Sequence, residues 1–172
     1  MATYIWYDRR AVASEEVQFF HESRVKHADK EFGTNMELDG MFPRDVAVSR
    51  IVVRFEPQVL YAGTAGDTGK LDEIKTFLRS AVLVLQVGTG PMMFIPLNDA
   101  IGTVGINGFG QYSLATAADR TLISATVNKL GGEEGLKIAF TIPANTLFKC
   151  FLKQKAPAVD IGTVEICLYE GA

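Results

Sequence analysis

Leu136, Ile138, Phe140 and Ile142 alternate with Lys137, Ala139 and Thr141. An apolar side chain at every second position is the period of a strand with one face buried and one face wet. The same beat returns near the C-terminus. There Gly162, Val164, Ile166 and Leu168 share one face, and Thr163, Glu165, Cys167 and Tyr169 share the other with Ile161. Thr121 to Val127 and Met92 to Leu97 are shorter strand runs, the second bracketed by Pro91 and Pro96, as an edge strand or a strand end would be. Ala81 to Val87 is apolar on both faces, so it is expected to be a central strand covered on two sides or one packed against a neighbouring subunit.

Residues 34 to 55 read as strand, turn, strand, with the two runs meeting at Asp39-Gly40 and Phe42-Pro43. The second run changes phase: Val46 and Val48 are even, whereas Ile51, Val53 and Phe55 are odd. One extra residue near Ser49-Arg50, a β-bulge, restores both sets to one side and bends the strand. Ser14 to His27 fits neither period and is expected to be an extended arm or a first strand after a short turn. Lys70 to Arg79 sets Leu71, Ile74, Phe77 and Leu78 on one helical stripe and predicts the one helix. Eight or so strands and one short helix predict an all-β fold, a single jelly-roll barrel or sandwich over residues 1–172, with residues 1–13 an extended N-terminal arm.

Composition narrows the function. The chain has 172 residues, 48% of them hydrophobic. That length buries roughly 70% of the surface of the unfolded chain, enough for a core without disulfides or metals. With 17 basic against 20 acidic residues the net charge is −3, and no long run of one sign suggests a specific nucleic-acid partner. The N-terminus carries Tyr4, Ile5, Trp6 and Tyr7 ahead of Arg9 and Arg10 and does not read as a secretory signal. The longest apolar run, Ala81 to Leu85, is far shorter than a membrane span.

No residue pattern announces chemistry. His21 and His27 stand six apart outside any HExxH spacing, and a metal site from His21, Glu22 and His27 is a weak alternative. The glycine-rich stretch Ile101 to Gly110 lacks both the GxGxxG spacing and a P-loop lysine, so it reads as an exposed loop whose Phe109 meets a neighbour. Cys150 and Cys167 lie in strand runs and read as small buried apolar residues, with a cross-strand disulfide as the alternative. Glu15-Glu16, Asp72-Glu73 and Glu133-Glu134 are adjacent pairs that point apart, unsuited to joint acid/base work. No catalytic residue, cofactor or metal ligand is assigned, and the chain is read as not an enzyme. Lys149, Lys153 and Lys155 share one side of a strand whose other side is Phe148, Cys150 and Leu152. They read as the guard of an edge strand, or else as a stripe for an acidic neighbour or anionic lipid.

Thr34-Asn35-Met36, then Leu38, Gly40 and Phe42-Pro43 before a Val/Ile-rich strand, resembles the early region of jelly-roll capsid proteins of tailless icosahedral phages with an internal membrane. Phe140 to Phe148, a strand, a turn from Pro143 to Asn145 and a strand, resembles the same proteins. The size matches the small major capsid protein, a single vertical barrel, of sphaerolipovirus-like phages. The resemblance covers residues 30–56 and 136–169. It implies a structural viral subunit, made in the host cytoplasm and located in the virion. That subunit would form a homo-oligomer, a dimer in the first instance, or pair with a larger capsid protein in a shell over an internal membrane. For those contacts the sequence offers Ala81 to Val87 as a lateral surface, Gly102 to Gly110 as a locking loop and Tyr4 to Tyr7 as an aromatic arm that exchanges between subunits, touches the membrane or packs on its own barrel. The alternative is a carbohydrate-binding jelly roll, with Phe109 and Tyr112 stacking on sugars.

Overall fold

The computed structural model describes residues 4–55, 60–62, 76–101, 110–113, 121–124 and 135–171, with the backbone alone at residues 55, 60–62, 110–113 and 121–124. The strands are β1 (Ile5–Val12), β2 (Glu16–Phe19), β3 (Val46–Phe55), β4 (Leu60–Ala62), β5 (Val82–Val87), β6 (Met93–Pro96), β7 (Gly110–Ser113), β8 (Thr121–Ser124), β9 (Leu136–Ile142), β10 (Phe148–Lys153) and β11 (Gly162–Glu170). Residues 76–80 are helical (α1), and a single helical turn follows at Leu97–Ala100 (α2).

The pairing is that of one long antiparallel ribbon rolled on itself. β1 pairs with β11, β2 with β10, β3 with β9 and β5 with β6. Two further pairings, β11 with β3 and β10 with β5, close the ribbon into two four-stranded sheets, ordered β1-β11-β3-β9 and β2-β10-β5-β6. Every connection between these eight strands except β5 to β6 crosses from one sheet to the other, which makes the sandwich a jelly roll. The registers put the ends of β1, β3, β6 and β10 and the starts of β2, β5, β9 and β11 at the same end. From that end leave the two long insertions, and strands from both, β4 from one and β7 and β8 from the other, join in a third sheet ordered β4-β8-β7.

The bulge is where the phase change requires it. The β3–β9 register slips between Val48 and Arg50, the β11 register slips opposite it, and the Ser49 hydroxyl donates to the Tyr169 carbonyl at 3.1 Å. Val46, Val48, Ile51 and Val53 all face the core as a result. The turn from Pro143 to Thr146 also forms, with Asn145 in the left-handed region at φ 55° and its N–H on the Phe42 carbonyl at 2.9 Å.

Four expectations need correction. Residues 5–12 are not a free arm: they are β1, hydrogen-bonded to β11 along its length. Residues 34–41 form no strand and make only isolated bridges, because their backbone groups are divided among β1, Arg24 and the turn at Leu147. β10 is central, between β2 and β5, so its lysines guard no edge. The described chain has a second helical turn, α2, which begins at Leu97 where the strand run was expected to end. Of the expected helix Lys70 to Arg79, residues 70–75 lie outside the described residues. The remainder is helical, with Phe77 buried and Leu78 packed on the core.

The core centres on aromatic rings. Trp6 meets Phe42 edge-on at 4.9 Å, Phe42 lies 5.7 Å from Phe148, and Phe20 lies 5.9 Å from Phe148. Phe42 touches three of these rings and is fully buried, so it joins the β2–β3 connection to both sheets. Phe42→Ala is expected to cost about 3–5 kcal/mol, read as a fall in the urea midpoint, and Phe42→Leu distinctly less.

Candidate functional site

Candidate sites are found on the outside of the sandwich, beginning with the flank where β1 would expose an open edge. The outward Ile5 carbonyl and the outward N–H and C=O groups of Tyr7 and Arg9 are taken by the β2–β3 connection. The side chain of Asn35 accepts from Tyr7 N–H and donates to the Ile5 carbonyl, both at 2.8 Å. Thr34 Oγ1 donates to the Tyr7 carbonyl at 2.8 Å, and Arg9 N–H donates to the Gly33 carbonyl at 2.7 Å. His27 Nε2 donates to the Arg9 carbonyl at 2.9 Å, which leaves Nδ1 to accept from Asp29 N–H at 3.0 Å. Gly33 is required here: a Cβ would stand 2.0 Å from the His27 ring.

Beneath this seal lies a buried ionic cluster. Asp8 points inward from β1 and accepts from Phe20 N–H at 2.5 Å and Arg10 Nε at 3.1 Å, and its other oxygen lies 3.3 Å from His27 Nε2. Arg10 reaches on to Glu22 at 2.6 Å. Burial pushes the Asp8 carboxyl above its ordinary value, against the pull of the Phe20 amide and Arg10. Its contribution to stability is therefore greatest in acid and declines as the pH rises through its raised pKa. Glu22 is held below its ordinary value by the hydrogen bond from Arg10. His21 places a ring nitrogen against the Gln18 carbonyl at 2.9 Å, and the described residues contain no group of three or more potential metal ligands.

The outer face of the β1-β11-β3-β9 sheet is ionic. Arg9 Nε meets Glu165 at 2.5 Å, Arg54 meets the other oxygen at 3.2 Å and the Tyr169 hydroxyl at 2.6 Å, and Arg50 stacks over the Tyr169 ring at 4.8 Å. Burial pushes Glu165 up, but the hydrogen bonds from Arg9, Cys167 and Arg54 outweigh it and its carboxyl lies below the ordinary value. Cys167 belongs to this outer face, and burial with the Glu165 charge raises its thiol to about 12. Cys150 faces the core from the other sheet, also raised by burial. Both are free, and their opposite placement corrects the disulfide alternative.

The outer face of β2-β10-β5-β6 is different. Phe151, Val84 and Phe94 lie in one cross-strand row with Gln18, flanked by Lys149 and Gln86 on one side and by Lys153 and Val82 on the other. Lys153 is paired to Glu16 at 2.6 Å and lies over the Phe151 ring. Val84 is 3% exposed, but Phe94 is 66% exposed and Met92 in the preceding turn 55%. β5 is the central strand expected of Ala81 to Val87. Residues 102–109, including Phe109, and the Tyr112 side chain lie outside the described parts. No family model matches the chain, and neither a curated protein nor a solved structure is found to be similar to it.

The edge seal escaped sequence reasoning, although the Thr34-Asn35 pair, whose short polar side chains bond backbone readily, was its signal. A second tie closes the same connection: Asp39 accepts from Ser23 N–H at 2.8 Å and pairs with Lys26. The hydrogen bond from Lys26, then that from Ser23, holds Asp39 down to about 2 from 3.8. A depressed carboxylate contributes stability above its unfolded value and loses it as the pH falls through the folded one. Asp39→Asn is therefore expected to flatten the fall in urea midpoint between pH 3.8 and about 2; an unchanged acid slope would show that the tie is without effect.

Proposed function

We propose that this chain is a structural viral capsid subunit, a jelly-roll block that associates laterally with copies of itself, with a larger capsid protein, or with both, in an icosahedral shell over an internal membrane. The observation that carries this reading is the contrast between a filled interior and the large apolar side chains left on parts of the exterior. Phe19, Phe20, Phe42 and Phe148 are fully buried and occupy the space between the sheets, whereas Phe32, Met92, Phe94 and Leu147 present large apolar side chains to solvent. Ligand-binding jelly rolls need an open concavity with convergent polar groups, and assembling ones need apolar patches with polar rims on their outsides. The rolled topology and the elaborated end of the sandwich, where two insertions pair, suit a block whose neighbours are locked by loops. No helix among the described residues is long and apolar enough to cross a membrane.

Particles purified from cells that make this protein decide the matter by peptide mass spectrometry and cross-linking. The reading expects this chain in high copy, cross-linked to itself and to a larger β-rich protein, in particles that also contain lipid. Absence from particles together with clear micromolar binding on a glycan panel would replace it with the carbohydrate-binding reading.

A further inference from the structure

We infer that His27, set against Asp8, is a proton-operated latch on the edge of β1. A second proton taken up at Nδ1 in mild acid draws the ring onto Asp8 and Arg9 and tightens the seal, and its loss toward alkaline pH loosens it. The inference is independent of the assembly reading above.

The geometry accommodates both protonation states of the ring. With one proton, on Nε2, His27 donates to the Arg9 carbonyl at 2.9 Å and accepts from Asp29 N–H at 3.0 Å. In that state Asp8 Oδ1 is buried 3.3 Å from Nε2 and has no hydrogen bond among the described residues. A second proton, on Nδ1, meets an acceptor already in place, the Asp29 carbonyl at 3.1 Å. The bond from Nε2 to Arg9 then becomes charge-assisted, and the orphaned Asp8 oxygen gains a cation beside it. Only the Asp29 N–H gives up its acceptor, and Asp29 is exposed to water.

Charge balance sets the direction. With Asp8 and Glu22 ionised on either side of Arg10, the cluster carries one negative charge in excess while both histidine rings are neutral. A proton on His27 cancels that charge inside the fold, where an unbalanced one is costly. The remaining charges around the ring have partners of their own. Lys26 pairs with Asp39, Arg9 with Glu165, and the Asp29 carboxylate accepts from Glu31 and Phe32 N–H. His21 stands 3.7 Å from Glu22 on the half-buried rim, and the Cys150 thiol of β10 is raised by burial and by the Asp8 charge and stays protonated. Burial pushes the Asp8 carboxyl up as well, so both partners bind a proton better with the latch closed. Closure is therefore favoured as the pH falls and is lost as it rises. Histidine changes charge between about pH 5 and 8, clear of the range below 3.8 in which the Asp39 tie fails.

Amide exchange followed by NMR between about pH 8 and 5, corrected for the intrinsic rate, tests the latch. Protection at Tyr7 and Arg9 should rise about fivefold toward acid, the margin of a charge-assisted over a neutral hydrogen bond, while protection at Asp29 falls. A purely structural histidine moves neither. His27→Gln keeps a donor for the Arg9 carbonyl without a titrating ring, and should hold the protection of Tyr7 and Arg9 level with pH. Ring-nitrogen shifts of the wild type need no folded variant: His27 Nδ1 should gain its proton over the range in which the Arg9 protection changes, with the His21 signals told apart by His21→Gln. Wild-type protection that is level with pH overturns the inference. So does a pH response that survives His27→Gln, or an Nδ1 that gains no proton across that range.

Discussion

An open sheet edge is a row of backbone donors and acceptors that must find partners. In this protein the edge of β1 finds them in its own chain, and much of the structure follows from that. Gly33, Thr34, Asn35 and His27 take the outward groups of Ile5, Tyr7 and Arg9. Once that connection is fixed to β1, its two ends are fixed as well. Phe20, in a left-handed conformation, donates its N–H to the buried Asp8 carboxyl, and Phe42 is delivered to the centre of the aromatic core. The cost of burying Asp8 is offset in part by Arg10 and the Phe20 amide, which lets an acidic side chain be tolerated in an otherwise apolar sandwich.

With that flank sealed and the interior filled, the two sheets differ chiefly in what they show outside. One wears a mat of guanidinium, carboxylate and phenol groups that satisfy one another. The other exposes phenylalanine and methionine, at Phe94 and Met92, beside lysines whose stems are partly covered. This asymmetry is the physical basis for reading the chain as a building block with one sticky face and one solvated face.

Several strands of this fold were legible in the sequence from their apolar period, whereas β1, which buries Asp8 among its inward residues, was not. Val164, Ile166 and Leu168 face the core as their period demands, and the bulge at Ser49 was visible because a change of phase has only one cheap remedy. Other features were hidden because they depend on which strands become neighbours. The central place of β10 follows from pairing with β2 and β5, residues more than sixty positions away in the second case, and its alternating lysines looked the same as those of an edge. The seal on β1 was hidden for a related reason. It joins side chains to backbone across 28 and 30 residues, and a Thr-Asn pair carries no record of which carbonyl it will meet. Thr34 to Leu38 has strand-like residues, but its hydrogen bonds are divided between β1 and Arg24 and form no ladder.

Amide hydrogen exchange at Tyr7 and Arg9 in the free protein measures the seal most directly. Both N–H groups point away from β11, to the Asn35 side chain and the Gly33 carbonyl. The account predicts that they exchange as slowly as the amides of the central strand β11, in one cooperative unit with the core. Exchange at the rate of a frayed edge strand, with β11 still protected, would contradict it.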